Sequence, residues 1–197
     1  MGKIVLLMGK STTGKDTVYR NLLEKNKFDL KKVVLYTTRP MRDKEENGVQ
    51  YFFCDEEGYQ KFLNDRKIIE GRTYDTCYGP WRYFTVDDGQ IDLESSSSLM
   101  IGTLEAYESM TNYFGKDKVV PVYIEISDRI RMERAMHREN KQEHPKYDEM
   151  CRRYLADEED FSEEKLKAAG ITRRFNNEGT IDQILDEINK YLIEMGV

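Results

Sequence analysis

Gly9 and Gly14 stand five residues apart, enclose Lys10-Ser11-Thr12-Thr13, and are followed at once by Lys15, Asp16 and Thr17. Glycines at this spacing let backbone N–H groups approach phosphate oxygens, and a lysine directly after them meets the β- and γ-phosphates of a bound nucleotide. An apolar run, Ile4 to Met8, precedes the loop, and a helical pattern follows it to about Lys25. A buried strand, a glycine turn and a helix in that order aim the positive end of a helix dipole at an anion. The strict loop pattern carries Ser or Thr after the lysine, where this chain has Asp16, with the Thr17 hydroxyl one residue on. Phosphate binding is the chemistry this segment predicts.

A second concentration of charge lies far downstream. Residues 129–153 hold eight Arg or Lys and five Asp or Glu, a net +3, so the rest of the chain carries −9 of the overall −6. An acidic protein with one basic segment suits a small anion and repels an extended polyanion, so a nucleic-acid partner is not expected. Cys54, Cys77 and Cys151 show no close metal-ligand spacing, and His137 and His144 are remote from Cys54 and Cys77. Disulfide scaffolds and ordinary zinc sites are disfavoured.

The elements that must position these residues read as α/β. Val33 to Tyr36, Leu99 to Gly102 and Val119 to Ile126 are short apolar strands, with helices over Ala106 to Phe114 and Ser127 to Arg138. Ile181, Ile184, Leu185, Ile188, Tyr191 and Leu192 form the apolar stripe of a last helix, and Ser95 to Ser98 reads as a polar loop entering a strand. The 197 residues fit one domain, and no apolar run approaches the ~20 needed to cross a bilayer. A soluble cytoplasmic protein without a membrane partner is expected.

Thr37-Thr38-Arg39-Pro40-Met41-Arg42, continuing through Gly48-Val49-Gln50-Tyr51-Phe52-Phe53, makes the chain resemble the guanylate kinase family. The resemblance runs from the phosphate loop through Glu70 and Tyr78-Gly79 to the arginine-rich segment and Asn176, weakening between 80 and 100. It implies a P-loop kinase core, a parallel sheet flanked by helices, with a monophosphate-binding insert at 34–90 and an arginine-rich lid at 137–152. By motif position, Arg39, Arg42, Tyr51 and Tyr78 would hold the phosphate of an acceptor monophosphate with Glu45 beside them, and Glu70 would accept hydrogen bonds from the guanine edge. Two guanidinium forks and two phenols suit that phosphate on chemical grounds as well. Gly9, Ser11, Thr12, Thr13, Gly14, Lys15, Asp16, Thr17 and Asn176 become the candidate ATP-binding residues. Lys15, Arg134, Arg138 and Arg153 are the candidate catalytic cations, with Arg131 and Arg152 nearby. The implied reaction is transfer of the ATP γ-phosphoryl group to GMP with Mg²⁺. A kinase for another nucleoside monophosphate, and a noncatalytic module that grips a phosphorylated protein, are the alternatives.

Four departures stand out. Leu35 and Pro80 occupy positions where the family commonly has serines that help read the base, which leaves Thr37, Thr73 and Thr76 as candidate replacements. At Ile101-Gly102-Thr103-Leu104-Glu105, where the family usually presents aspartates, the acid is absent or displaced. Asp16 therefore has two readings: an oxygen ligand for Mg²⁺, together with Thr17, or simply an acid favourable at a helix N-terminus. The stretch from Arg138 to Arg153 is four residues longer than the family pattern and includes the polar, Pro-bearing Glu139 to Asp148, implying a longer mobile lid.

Overall fold

The computed structural model describes residues 1–76 and 79–197. Strand β1 (Ile4–Met8) leads into helix α1 (Lys15–Lys25), followed by the two-residue strands β2 (Lys31–Lys32), β3 (Tyr36–Thr37) and β4 (Phe52–Phe53). Helix α2 (Glu56–Asn64), strands β5 (Ile68–Thr76) and β6 (Gly79–Val86), strand β7 (Ser98–Ile101) and helix α3 (Leu104–Phe114) come next. The chain ends with strand β8 (Val119–Glu125), helices α4 (Asp128–Glu139), α5 (Tyr147–Asp160) and α6 (Glu163–Ala168), strand β9 (Arg174–Asn176) and helix α7 (Ile181–Glu194).

Five strands form a parallel sheet in the order β2-β7-β1-β8-β9. A central parallel strand is covered on both faces and must be apolar throughout, and every residue of β1 is buried. Its side chains alternate between two cores. Val5 and Leu7 pack with Val18 and Leu22 of α1 and Ile184, Leu185, Ile188 and Leu192 of α7. Ile4, Leu6 and Met8 pack with Leu104, Tyr107 and Met110 of α3 and Leu166 of α6. The stripe on the last helix is therefore core, anchored by a capping box in which Thr180 and Gln183 exchange hydrogen bonds. The expected parallel sheet flanked by helices is the architecture found.

A second sheet has the order β4-β3-β6-β5, with β6 antiparallel to both β3 and β5. One face carries an aromatic cluster in which Tyr36 packs against Phe52, Phe84 and Phe62 of α2, while Tyr59 of α2 sits edge-on to Phe84. By strand alternation the opposite face carries Thr37, Tyr83, Thr85, Glu70 and Arg72.

The single strand predicted over Val33 to Tyr36 is instead a crossing between sheets. The Val33 N–H still donates to the carbonyl of Leu99, whereas the carbonyl of Leu35 already accepts from Phe52 of the second sheet. Val34 between them donates to the Gln90 side chain at 2.7 Å. The serine run also divides: Ser98 begins β7, and buried Ser97 accepts the Lys3 N–H through its hydroxyl. Among the described residues no helix is long and apolar enough to cross a membrane.

Candidate functional site

The glycine turn sits at the carboxyl end of β1, where its path is dictated by neighbours on both sides. A Cβ on Gly9 would lie 2.4 Å from the carbonyl oxygen of Ile124, so only glycine lets the chain pass β8 here. Thr12 and Gly14 take positive φ values of 66° and 88° and curl the backbone back toward the helix. Buried Thr13 closes the turn through its hydroxyl, which donates to the Lys10 carbonyl at 2.9 Å. Gly14 caps α1 without any side-chain hydrogen bond, leaving the first N–H groups of the helix uncapped by a side chain. Lys15 opens that helix half-buried, and Asp16 and Thr17 are exposed on its first turn.

Three side chains absent from the sequence reading brace the loop. Asn177, mostly buried, donates from Nδ2 to the Thr13 carbonyl at 2.7 Å, and its own N–H donates to the Glu125 carbonyl at 2.9 Å. Asn176, the residue singled out in the sequence, is exposed, and its Oδ1 accepts from the Glu178 N–H. Alternation along β9 accounts for the exchange, because adjacent residues point to opposite sides and only one can reach the loop. On the other flank, Asp157 accepts from the Ser11 N–H at 2.7 Å, and Glu158 accepts from Lys10 at 2.5 Å. Both acids belong to α5, so the arginine-rich segment is tied to the glycine turn at its root.

Arg131, 1% exposed, is the pillar of that root. Its guanidinium pairs with Glu158 and Asp128, donates to the Tyr154 carbonyl at 3.1 Å and lies 3.6 Å from the Tyr154 ring centre. Arg134 stands one turn further along α4 and donates to the Asn177 carbonyl at 3.1 Å, beside Gly14. Arg138 is exposed on the next turn of α4, and exposed Arg153 on α5 donates to Glu149 at 2.7 Å. Arg152 shares the same carboxylate, and the two guanidiniums hold Glu149 down to about 2. The structure thus places Arg134 at the glycine turn and Arg138 and Arg153 outside that contact. The segment between α4 and α5 closes on itself, with buried Glu139 accepting from Gln142 at 2.9 Å and from the Lys146 N–H at 2.6 Å.

A second cationic cluster lies on the polar face of the antiparallel sheet. Arg39, 3% exposed, donates to Glu45 at 2.8 Å, and the other Glu45 oxygen accepts the Arg42 N–H at 2.8 Å. The Arg39 hydrogen bond, reinforced by the one from Arg42, holds the Glu45 carboxyl below its ordinary range. The Arg39 guanidinium lies 5.6 Å from the ring centres of both Tyr51 and Phe53. Tyr83, on the same face, acts electrostatically on Arg39 and packs edge-on to Tyr51 at 5.6 Å. Its place in this cluster had no signal in the sequence beyond strand alternation. Arg42 is exposed, and Tyr78 lies outside the described residues. Two residues along β5 from Arg72, Glu70 is 4% exposed and accepts from the Thr85 hydroxyl at 2.8 Å. Burial pushes its carboxyl above the ordinary carboxylate range, against the pull of Arg72 and Thr85.

A hard divalent cation could use the glycine turn. Among the described residues no three His, Cys, Asp or Glu side chains cluster as a metal cage. Mg²⁺ bound to a nucleotide takes only one or two protein oxygens, the rest coming from phosphate and water. Exposed Asp16 and Thr17 beside Lys15 fit that modest donor set.

The fold and the turn are those of a phosphate-loop α/β protein. Residues 1–86 match the family model for guanylate kinase. The guanylate kinase of Anaplasma phagocytophilum (strain HZ) is 33% identical over 125 residues, 63% of this chain and 58% of that protein. That of Caldanaerobacter subterraneus subsp. tengcongensis is 35% identical over 86 residues, 43% of this chain and 41% of its own length. The Mycoplasma mobile guanylate kinase is 38% identical over 79 residues, 40% of this chain and 39% of its own. The crystal structure of guanylate kinase from Anaplasma phagocytophilum superposes with a TM-score of 0.68 over 98% of this chain and 85% of that one, at 21% identity, a likeness of fold. The chain is similar to guanylate kinases over its first part and shares their fold, and its matches span 58%, 41% and 39% of the lengths of those three relatives.

The bracing asparagine makes a testable demand. Asn177→Ala leaves the buried Thr13 carbonyl without its partner and opens space beside Gly14. A stability loss of about 1–3 kcal/mol is expected in urea unfolding, and an unchanged unfolding midpoint would remove Asn177 from this role.

Proposed function

We propose that this chain transfers the γ-phosphoryl group of ATP to a nucleoside monophosphate, GMP, giving ADP and GDP. The observation that carries the reading is the presence of two separate anion cradles. One is the glycine turn with Lys15, and the other is buried Arg39 with Tyr51 and Tyr83. The names of the relatives support the choice of reaction, and the Glu70 carboxylate supports a base presenting N–H donors. In this reading residues 1–197 form one guanylate-kinase-like unit with its acceptor insert at 34–90 and its lid at 137–152, acting on free nucleotides in the cytoplasm without nucleic acid or membrane.

No side-chain nucleophile is needed. An oxygen of the acceptor phosphate attacks the γ-phosphorus as the bond to the bridging oxygen of ADP breaks, and the protein's task is alignment and charge stabilisation. The loop N–H groups and Lys15 hold the donor phosphates, Arg134 stands at the loop, and Arg138 and Arg153 approach from the lid. Arg39, Arg42, Tyr51 and Tyr78 hold the acceptor phosphate, and Asn176 lines the donor side. Asp16 and Thr17 would hold Mg²⁺, which supplies charge neutralisation at the donor phosphates when bound. Arg39 already carries Glu45 as partner, so an entering phosphate exchanges one anion for another at a fixed guanidinium fork. A noncatalytic phosphoprotein-binding module would use the Arg39 cluster alone and have no need of the glycine turn braced from both sides by Asn177 and Asp157.

Incubation with ATP, Mg²⁺ and, separately, GMP, dGMP, AMP, CMP, UMP and IMP should yield diphosphate from GMP. Lys15→Ala should lower that turnover at least ~100-fold, the usual cost of one preorganised charge-stabilising donor. Transfer confined to a non-guanine acceptor selects the other kinase, and no transfer to any acceptor selects the binding module.

Replacing the exposed acid by Asp16→Ser and Asp16→Asn should shift the Mg²⁺ concentration needed for half-maximal turnover. Unchanged metal dependence in both variants assigns Asp16 to the helix N-terminus alone.

Glu70 sets an acid limb for the acceptor. Its carboxyl titrates above the ordinary value of 4.5, and once protonated it loses acceptor capacity toward the base. The KM for GMP should therefore climb as pH falls, starting above the pH at which an ordinary glutamate titrates, while the KM for ATP stays level. Glu70→Gln should abolish the climb and show already at neutral pH the raised KM that the wild type reaches only in acid. A wild-type KM for GMP that stays flat down to pH 4.5 would exclude Glu70 from the base.

A further inference from the structure

The serines missing at Leu35 and Pro80 leave open which group donates hydrogen bonds to the base. Of the threonines suggested as replacements, Thr37 and Thr73 are already committed. The Thr37 hydroxyl donates to the Arg82 carbonyl at 2.8 Å and accepts the Arg39 N–H at 3.1 Å. Thr73 accepts from Arg82 at 3.1 Å on the aromatic face of the sheet, away from Glu70. Leu35 is packed against the second core cluster.

Arg72 is placed differently. It is two residues from Glu70 on β5, so both side chains project from the polar face, and it pairs across the sheet with Tyr83 of the Arg39 cluster. Its Nε lies 3.8 Å from a Glu70 oxygen, too long for a hydrogen bond, and is buried without a hydrogen-bond partner. A buried donor left unpaired is costly, which marks this one as awaiting an acceptor. The cross-strand partner of Arg72, Tyr83, packs edge-on to Tyr51 at 5.6 Å, so Arg72 stands between the Glu70 carboxylate on its own strand and the Arg39 cluster across the sheet.

We propose that Arg72 is a specificity-determining residue of the acceptor pocket, donating to O6 and N7 of a 6-oxopurine nucleoside monophosphate whose N1–H is accepted by Glu70. The assignment rests on the kinase reading for its acceptor site and adds the residue that selects the base. A guanidinium fork matches the paired acceptors O6 and N7, and a carboxylate matches an N–H donor. In an anti purine nucleotide the N7 edge is the one nearer the 5′-phosphate, which agrees with Arg72 standing between Glu70 and the Arg39 cluster. An adenine would present a 6-amino donor to a guanidinium that has no acceptor.

Calorimetry on the full chain with GMP, 7-deaza-GMP and AMP tests this, alongside steady-state phosphoryl transfer from ATP. The wild type should bind GMP roughly 10-fold tighter than 7-deaza-GMP, which lacks the N7 acceptor, and AMP more weakly still. Arg72→Ala should weaken GMP ~10–100-fold and bind GMP and 7-deaza-GMP equally, with Arg72→Lys intermediate. The ratio between two ligands for one variant does not depend on the fraction folded. Equal weakening of GMP and 7-deaza-GMP by Arg72→Ala assigns Arg72 to the phosphate and overturns the proposal, as does an unchanged GMP affinity. Binding with the expected ratios but without transfer overturns the kinase reading and leaves Arg72 as base reader; transfer with unaltered ratios does the reverse. A wild type that binds neither GMP nor 7-deaza-GMP overturns both.

Discussion

Phosphate recognition by backbone N–H groups requires a stretch of chain that bends sharply, carries no bulk at its closest approach, and is held still. In this protein that requirement is met by burying β1 between two parallel neighbours and two helical layers, so that the turn leaving it has one exit. Gly9 passes the Ile124 carbonyl at a distance no Cβ would survive, and the turn ends where α1 begins. Parallel strands also bring their carboxyl ends to one edge, which is where ligands of open α/β sheets bind. The starts of α3 and α4 and the Asn177 brace reach the same edge for that reason.

Charge is handled by pairing. Arg39 with Glu45, Lys10 with Glu158, Arg131 with Glu158 and Asp128, and Arg153 with Glu149 are all ion pairs. The exposed pairs on α5 contribute little to stability, since solvent screens them. The buried ones differ in kind. Arg131 spends its guanidinium on Glu158, Asp128 and the Tyr154 carbonyl and fixes α5 against the glycine turn, whereas Arg39 divides its fork between the Glu45 carboxylate and the Pro40 carbonyl beside Tyr51 and Phe53. Two arginines of equal charge thus have opposite uses, separated by what surrounds them.

The antiparallel sheet shows the same division across its thickness. One face is spent on aromatic packing with α2, which gives a small sheet the core it needs, and the other is left to polar groups in register: Thr37, Tyr83 and Arg72 in one row, Thr85 and Glu70 in another. Period-two alternation is what lets the eight residues of β6 contribute to both jobs, Phe84 to one face and Tyr83 and Thr85 to the other.

The sequence by itself determined the glycine turn, its strand and helix, the α/β class and the motif around Arg39, because each depends on local spacing and on residue types with few substitutes: glycine for close approach, lysine for phosphate, arginine for a forked contact. Tertiary structure alone decided that Asn177 and not Asn176 meets the loop, that Arg131 is a buried pillar, that residues 33–35 cross between sheets, and that Tyr83 and Arg72 share a face with Arg39 and Glu70. Those outcomes turn on which of two adjacent side chains points inward and on contacts between segments tens of residues apart, and neither is encoded in local spacing.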